Sequence, residues 1–165
     1  AGAMFRARLA AFFRRVPWVI ALLQKLYRQF LPRFTVGASG LVFNNAGEVL
    51  LVEHIFHPKH PWGPPGGWVE AGEQPCETVE REMREEVGLL VEAGELVYVE
   101  YLPKRRHITF VYLCSAKIQQ VKTLSSELVS FAWYPTDDLP NVYPYILEAI
   151  QKASKLRTKD PQDKQ

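Results

Sequence analysis

The sequence has few cysteines and no hydrophobic run long enough to cross a membrane. Cys76 and Cys114 are the only cysteines, and they form no Cys-x-x-Cys pair. This pattern fits free thiols in a reducing compartment better than a disulfide framework, so we expect a cytoplasmic location. The longest apolar run, residues 16–23, is far shorter than the ~20 residues of a membrane-spanning helix. Basic residues follow it where a signal peptide would have a cleavage site.

Acidic residues are absent from the first 47 positions, which carry seven arginines and lysines. All seven lie before residue 34, whereas the rest of the chain has 13 basic and 18 acidic residues, a formal charge of −5. The net charge of the whole sequence is only +2, so we expect no nucleic-acid partner. The sequence therefore divides into a basic N-terminal extension and an acidic remainder.

Apolar residues recur every three or four positions from Leu9 to Phe30, with the basic residues between them. This spacing predicts an amphipathic helix, which Pro17 divides into two segments and Pro32 ends. Because the apolar face is too large to remain in water, we expect it to pack on the remainder of the protein or on a second copy, as in a homodimer through these helices. Peripheral contact with an anionic membrane is the less favoured alternative.

The remaining sequence has the globular composition of one domain, with 47% apolar and 23% charged residues overall. Strand and helix patterns alternate in it, as in an α/β or α+β sandwich. Strands are predicted at residues 34–43, 49–54, 67–70, 96–101, 108–115 and 131–134, and helices at residues 75–87 and 142–156. A loop is predicted at residues 55–65. The predicted organisation is an extension at 1–33, a domain at 34–156 and a polar tail at 157–165.

The predicted helix at residues 75–87 carries three glutamates on one side. Its apolar stripe must face the core and contains Cys76, Val79, Met83 and Val87. A second arc is predicted to face water and contains Glu77, Glu80, Arg81 and Arg84. The third arc contains Glu82, Glu85 and Glu86, whose like charges repel at this spacing. A divalent cation such as Mg²⁺ or Mn²⁺ would neutralise them; a solvated acidic face paired with arginines is the alternative.

Three glycines lie just before this helix in the sequence. The segment Pro64-Pro65-Gly66-Gly67 precedes a short strand, and Ala71-Gly72-Glu73 leads into the helix. Glycine allows close backbone approach. The loop can therefore direct backbone carbonyls and Glu73 towards the same ion site.

Gly67, Glu73 and the segment Arg81-Glu82-Met83-x-Glu85-Glu86-x-Gly88-Leu89 have the spacing of the Nudix box, and the sequence resembles the Nudix hydrolases. Met83 stands where that family prefers Ile, Leu or Val, a volume-tolerant exchange. The approach at residues 62–67, Trp133 and residues 137–140 are also similar to the family. The resemblance implies a Nudix-type α/β/α sandwich with a mixed β-sheet, to which the helical extension is added.

The resemblance also implies an activity. MutT-like Nudix enzymes cleave a pyrophosphate bond in a nucleoside diphosphate joined to another group, by attack of water at phosphorus. The substrate would be a small nucleotide: a nucleoside triphosphate, ADP-ribose or a nucleotide sugar. The implied ligands of Mg²⁺ or Mn²⁺ are the Gly66 carbonyl, Glu82, Glu85 and Glu86. Arg81 would hold the carboxylates in position and Glu73 would support them. The implied base is Glu82 or Glu86 or, on a later loop, Glu127.

Further candidates lie outside the box. Arg105 is a candidate substrate-binding residue, although a solvated turn is the favoured interpretation of residues 104–106. Trp62 is a candidate for base stacking, as are Trp68, Tyr101 and Tyr112, although aromatic residues in short strands more often belong to the core.

Two weaker patterns concern metal and substrate. His54, His57 and His60 have a regular spacing, but the prolines among them and the lack of a cysteine partner argue against a zinc site. Pro103 follows Leu89 by 14 positions, and a proline near that place occurs in some ADP-ribose hydrolases of the family.

A Nudix-fold nucleotide-binding or sensor module without catalysis is the alternative function. Loss of the box carboxylates would indicate such a module. Glu82, Glu85 and Glu86 are all present, which favours the enzyme.

Overall fold

The computed structural model describes residues 2–116, 120–121 and 124–159. The chain divides into two compact units, Ala1–Arg33 and Phe34–Gln165. The helices are α1 (Gly2–Arg15), α2 (Pro17–Arg28), α3 (Pro75–Val87) and α4 (Pro144–Lys159). The strands are β1 (Thr35–Val42), β2 (Val49–His54), β3 (Trp62–Gly63), β4 (Gly66–Trp68), β5 (Val91–Leu102), β6 (His107–Ala116) and β7 (Leu128–Tyr134).

Unit 1 contains the two helices of the extension. As the sequence predicts, α2 begins at Pro17, whose fixed φ and missing N–H suit the first helical turn. None of the side chains of α2 is buried, and Trp18 and Leu23 are among its exposed apolar residues. Within the described residues, no helix has the length and apolar character needed to cross a membrane.

Unit 2 contains two sheets. The first is mixed, with the order β4-β1-β6-β5; β1 runs parallel to β6, and the other neighbours are antiparallel. The second has the order β3-β2-β7 and is antiparallel throughout. The predicted mixed sheet is therefore confirmed, and the sequence analysis did not predict the division into two sheets.

Strand β2 separates two hydrophobic clusters. Leu50 and Val52 pack in the cluster that contains the apolar stripe of α3. Val49 and Leu51, on the other face of the strand, pack with apolar residues of α4. Because successive side chains of a strand point to opposite faces, β2 is buried on both sides. Three residues of the predicted stripe of α3, Val79, Met83 and Val87, are fully buried as expected, whereas Cys76 at its start is only partly buried.

Several predicted boundaries are wrong. Strand β3 lies inside the predicted loop 55–65, where prolines and histidines hide a two-residue strand. Strand β5 begins at Val91 rather than residue 96, because irregular pairing between Ala93 and Leu96 breaks the alternation that marks a strand. Strand β7 begins at Leu128 rather than residue 131, and β4 ends at Trp68 rather than residue 70.

The last helix is also displaced from its predicted position. It begins at Pro144 rather than residue 142 and continues to Lys159, so the predicted polar tail is helical at its start. The Arg157 guanidinium lies over the Phe43 ring, 4.7 Å from the ring centroid, and this contact holds the final turns. The remainder of the predicted tail, residues 160–165, lies outside the described residues.

Deletion of residues 4–32 is expected to cause aggregation or a change in oligomeric state, because we expect the apolar face of these helices to cover apolar surface of the protein or of a second copy, which the deletion would expose. Size-exclusion chromatography with light scattering measures both. A truncated protein of unchanged size and solubility, together with binding of the full-length chain to anionic vesicles, would support membrane contact instead.

Candidate active site

Strand β4 and helix α3 approach each other closely through two glycines. Gly66 and Gly67 pair with Ser39 and Ala38 of β1. A Cβ atom at Gly67 would collide with the Glu82 carboxylate, and one at Gly66 would collide with the backbone of β1. The acidic side of α3 can therefore lie against the strand only where side chains are absent.

Local sequence fixes both ends of α3. Gln74 and Glu77 form a reciprocal capping box, in which the Gln74 N–H donates to Glu77 Oε2 at 2.8 Å. Gly88 ends the helix with φ of 68°, and its N–H donates to the Arg84 carbonyl at 3.2 Å. The position of the three glutamates on the helix is thereby defined.

Arg81 joins the acidic residues of the site. Its Nε donates to Glu73 Oε1 at 2.9 Å, and its Nη2 donates to Glu73 Oε2 at 3.1 Å. Its Nη1 donates to Glu82 Oε1 at 2.8 Å and to Glu85 Oε2 at 3.4 Å. The side chain of Arg81 is only 19% exposed, so the expectation that it faces water is wrong. Hydrogen bonds to Glu73 in the preceding turn, and to Glu82 and Glu85 on the same helix, draw the Arg81 side chain inward.

Glu73 is held as a carboxylate. In addition to Arg81, it accepts a hydrogen bond from the Thr78 hydroxyl at 2.6 Å and one from the Glu70 N–H at 3.2 Å. The Arg81 and Thr78 bonds lower the pKa of Glu73 from 4.5 to about 2. Thr78 was not among the residues predicted for the site. Its sequence position could have indicated the role, because it is a hydroxyl residue in the first turn of a helix that follows an acidic residue.

Glu86 is a buried carboxylate with a raised pKa. It is 8% exposed, and its Oε2 accepts a hydrogen bond from the Gly66 N–H at 2.9 Å. Burial is the main cause of a pKa of about 7 for Glu86; the Gly66 bond opposes the rise, and the charges of Glu82 and Glu127 add to it. Such a combination of burial and like charges is typical of functional sites.

Backbone contacts bring Glu127 into this environment. The Ser125 N–H donates to the Glu86 carbonyl at 3.0 Å, and the Ile55 N–H donates to the Glu127 carbonyl at 3.1 Å. These bonds attach the segment before β7 to α3 and to the end of β2. The buried Ser125 hydroxyl has no hydrogen-bond partner among the described residues.

A cleft of about 840 Å³ contains most of the predicted site residues. Its lining includes Trp62, Gly66, Arg81, Glu82, Glu85, Glu86, Arg105 and Glu127. Glu73 is not among the lining residues and reaches the site through Arg81. The sequence analysis did not select Tyr143 and Tyr145 at the start of α4, which also line the cleft. No local pattern links them to the box.

The acidic residues are not arranged as a closed metal site. Among the described residues, no three His, Cys, Asp or Glu side chains form a group that could hold a metal ion, and Glu85 is 56% exposed. Mg²⁺, however, is usually held by one or two carboxylates together with waters and substrate phosphates. Glu82 and Glu86 on one cleft wall, with the unpartnered Ser125 hydroxyl nearby, fit that open arrangement.

The three histidines do not form a zinc site. The rings of His54 and His57 lie 4.8 Å apart, whereas His60 Nδ1 bonds to Asn141 Oδ1 at 2.7 Å. Burial, and to a lesser extent the charge of His57, lowers the pKa of His54 to about 4. His54 is therefore neutral at pH 7, and it lines the cleft together with His57.

Substitution of Glu73 tests how much its ion pair with Arg81 contributes to stability. Because the pKa of Glu73 is lowered on folding, its contribution to the free energy of unfolding is complete above about pH 4.5 and is lost as the pH falls to about 2. We expect Glu73→Gln to lower the free energy of unfolding by about 1–2 kcal/mol at neutral pH, with the difference from wild type shrinking in acid.

Urea denaturation over this pH range measures the difference. Glu95→Gln, at an exposed position of β5, is the control and should have little effect. A difference between Glu73→Gln and wild type that stays constant down to about pH 2.5 would contradict the assignment of the lowered pKa.

Comparison with known proteins identifies the family. The NUDIX domain profile matches residues 33–153. The chain is 30% identical to Nudix hydrolase 7 of Arabidopsis thaliana over 112 residues, which cover 62% of this chain and 40% of that protein. It is 31% identical to a MutT-like protein of Streptomyces ambofaciens over 108 residues, which cover 66% of this chain and 68% of that protein.

A solved structure supports the same assignment. The ADP-ribose pyrophosphatase of Streptococcus suis superposes with a TM-score of 0.60 at 26% identity, covering 79% of this chain and 95% of that one. The chain thus spans less than half of Nudix hydrolase 7 but nearly all of this smaller protein. Because the profile matches most of the sequence, the chain belongs to the NUDIX domain family.

Proposed function

We propose that this chain hydrolyses a pyrophosphate bond in a nucleoside diphosphate joined to another group, with Mg²⁺ or Mn²⁺ as cofactor. The observation that carries the proposal is the environment of Glu86. Its buried carboxylate lines a cleft beside Glu82 and Glu127, and the nearby Arg81 is bonded to Glu73, Glu82 and Glu85. This excess of negative charge favours a bound divalent cation.

The metal ligands would be Glu82 and Glu86, with Glu85 and the Gly66 carbonyl as further oxygen donors. When bound, the ion neutralises the diphosphate and lowers the pKa of a coordinated water. The remaining contributions come from the chain. Arg81, fixed through two nitrogens to Glu73, holds the Glu82 carboxylate in one orientation.

Three carboxylates are candidates to accept the proton of the attacking water. In the absence of an ion Glu86 has a pKa of about 7, a value suited to a general base near neutral pH, and in that role it would leave metal coordination to Glu82, Glu85 and the Gly66 carbonyl. Glu127 lies on a separate segment and is exposed, so it can reach a water from another side of the cleft. Glu82 is the third candidate and is bonded to Arg81.

ADP-ribose is the first substrate to test. The Streptococcus suis neighbour is an ADP-ribose pyrophosphatase, and Pro103 of this chain begins the short 3-10 turn after β5, next to Arg105. Nucleoside triphosphates, suggested by the MutT-like relative, and nucleotide sugars complete the panel. Hydrolysis of the whole panel with Mg²⁺ and with Mn²⁺ identifies the preferred substrate and metal.

Glu86→Gln is expected to lower kcat by about 10²–10⁴-fold, the usual contribution of an acid–base group. The amide retains an acceptor for the Gly66 N–H and removes a buried charge, so the melting temperature should stay the same or rise. Assays on the preferred substrate and thermal denaturation measure the two effects.

Glu80→Gln is the matched control on the same helix. Glu80 is exposed, and its Oε1 accepts a hydrogen bond from the Ala93 N–H at 3.0 Å, away from the cleft lining. The Glu80→Gln substitution should leave kcat unchanged. Near-normal turnover by Glu86→Gln would contradict the proposed role, and binding of nucleotides without turnover by wild type would favour the sensor module.

Millimolar Mg²⁺ or Mn²⁺ is expected to raise the melting temperature of wild type, since an ion that binds the folded state stabilises it. The rise should be much smaller for Glu86→Gln, which has lost a charged ligand. Differential scanning fluorimetry across a metal titration measures the shift. An equal rise of the melting temperature in both proteins would show that the ion binds away from Glu86.

A further inference from the structure

The structure distinguishes one of the four aromatic residues considered for base stacking. Trp62 is half-buried and packs edge-on against Tyr134, with ring centroids 5.2 Å apart. Tyr112 packs against the core cluster of α3. Tyr101 is 50% exposed but is not among the cleft-lining residues. Trp68 lines the cleft and is 62% exposed.

The surroundings of Trp68 fix its position. Its backbone pairs with Gly37 in the sheet, and its carbonyl accepts a hydrogen bond from Arg81 Nη2 at 3.2 Å. Its indole contacts the His107 ring edge-on, with centroids 4.9 Å apart. His107 Nδ1 is in turn hydrogen-bonded to Thr35 Oγ1 at 2.9 Å. The indole is thus supported along one edge while most of its surface remains open.

The absence of a side chain at Gly37 leaves space for the His107 ring beside Trp68. A Cβ atom at Gly37 would lie 3.0 Å from the His107 ring, so glycine at that position lets the imidazole lie close to the strand. Burial is the main cause of a lowered pKa for His107, and a neutral imidazole is therefore favoured at neutral pH. Trp68 and His107 together form an uncharged aromatic corner within a cleft whose other wall is acidic.

The distance from the acidic wall suits a nucleotide. Gly66 bonds to Glu86, Gly67 faces Glu82, and Trp68 is the next residue of the strand. Two residues of a strand span roughly 7 Å. One ribose separates the phosphate of a nucleotide from its base, so a phosphate held at the acidic wall leaves the base near the indole.

We propose that Trp68 stacks on the nucleobase of the substrate and thereby makes the cleft selective for nucleotides over other diphosphates. This proposal rests on the proposed function, because it assumes that the phosphates bind beside Glu82 and Glu86. Stacking on an aromatic side chain accepts any base, since every base has a π-face. The nucleobase is therefore recognised as a flat heterocycle.

Binding of AMP and of ribose 5-phosphate, measured by calorimetry in Mg²⁺ buffer, tests the proposal. These ligands share the phosphate and ribose and lack a hydrolysable anhydride. Wild type is expected to bind AMP about tenfold more tightly or better, and Trp68→Leu should lose most of that preference. Trp68→Phe should retain much of it, and Tyr101→Leu, an exposed aromatic outside the cleft, should retain all of it.

Three results would overturn the proposal: no preference for AMP in wild type, a wild-type preference in Trp68→Leu, or an equal loss of both ligands in Trp68→Leu. Circular dichroism and the Trp68→Phe variant separate misfolding from loss of stacking. Failure of the proposed function has a different signature, since the absence of metal-dependent hydrolysis leaves the AMP preference and its dependence on Trp68 measurable.

Discussion

The close approach of β4 to the acidic side of α3 is the constraint on which the rest of the site depends. Gly66 and Gly67 have no side chains, so the Glu82 carboxylate can occupy the space beside the strand and the Gly66 N–H can reach Glu86. A larger residue at Gly67 would separate helix and strand, and one at Gly66 would separate β4 from β1. The same contact buries Glu86, because the strand shields it from water, and burial is the main cause of its raised pKa.

Charge balance follows from this geometry. Arg81 is bonded most strongly to Glu73, through two nitrogens; its Nη1 is shared between Glu82 and Glu85, and its Nη2 also bonds to the Trp68 carbonyl. An arginine that is fully engaged in positioning cannot also neutralise Glu86. The carboxylates bonded to Arg81 are therefore held in place, whereas the side of the site around Glu86 has too little positive charge. Such a site suits a cation that keeps some of its water ligands and also binds a substrate phosphate.

The parts of the structure that local physics determines were predictable from the sequence. The capping box, Pro75 and Gly88 set both ends of α3, and the apolar period sets its buried face. Irregular pairing hid the start of β5, since a break in alternation removes the strand signal. Trp62 and Trp68 look alike in sequence, and only their tertiary neighbours make one half-buried and the other exposed.

In the proposed function, the two walls of the cleft would divide the recognition of a nucleotide between them. An acidic wall by itself would hold, through its cation, any diphosphate of suitable size, and an aromatic corner by itself would bind flat rings weakly. Arg81 couples them, because its guanidinium bonds to Glu82 through one nitrogen and to the Trp68 carbonyl through another. Arg81 therefore connects the two walls, and in the proposed function it would help to set the distance between the bound phosphate and the stacked base.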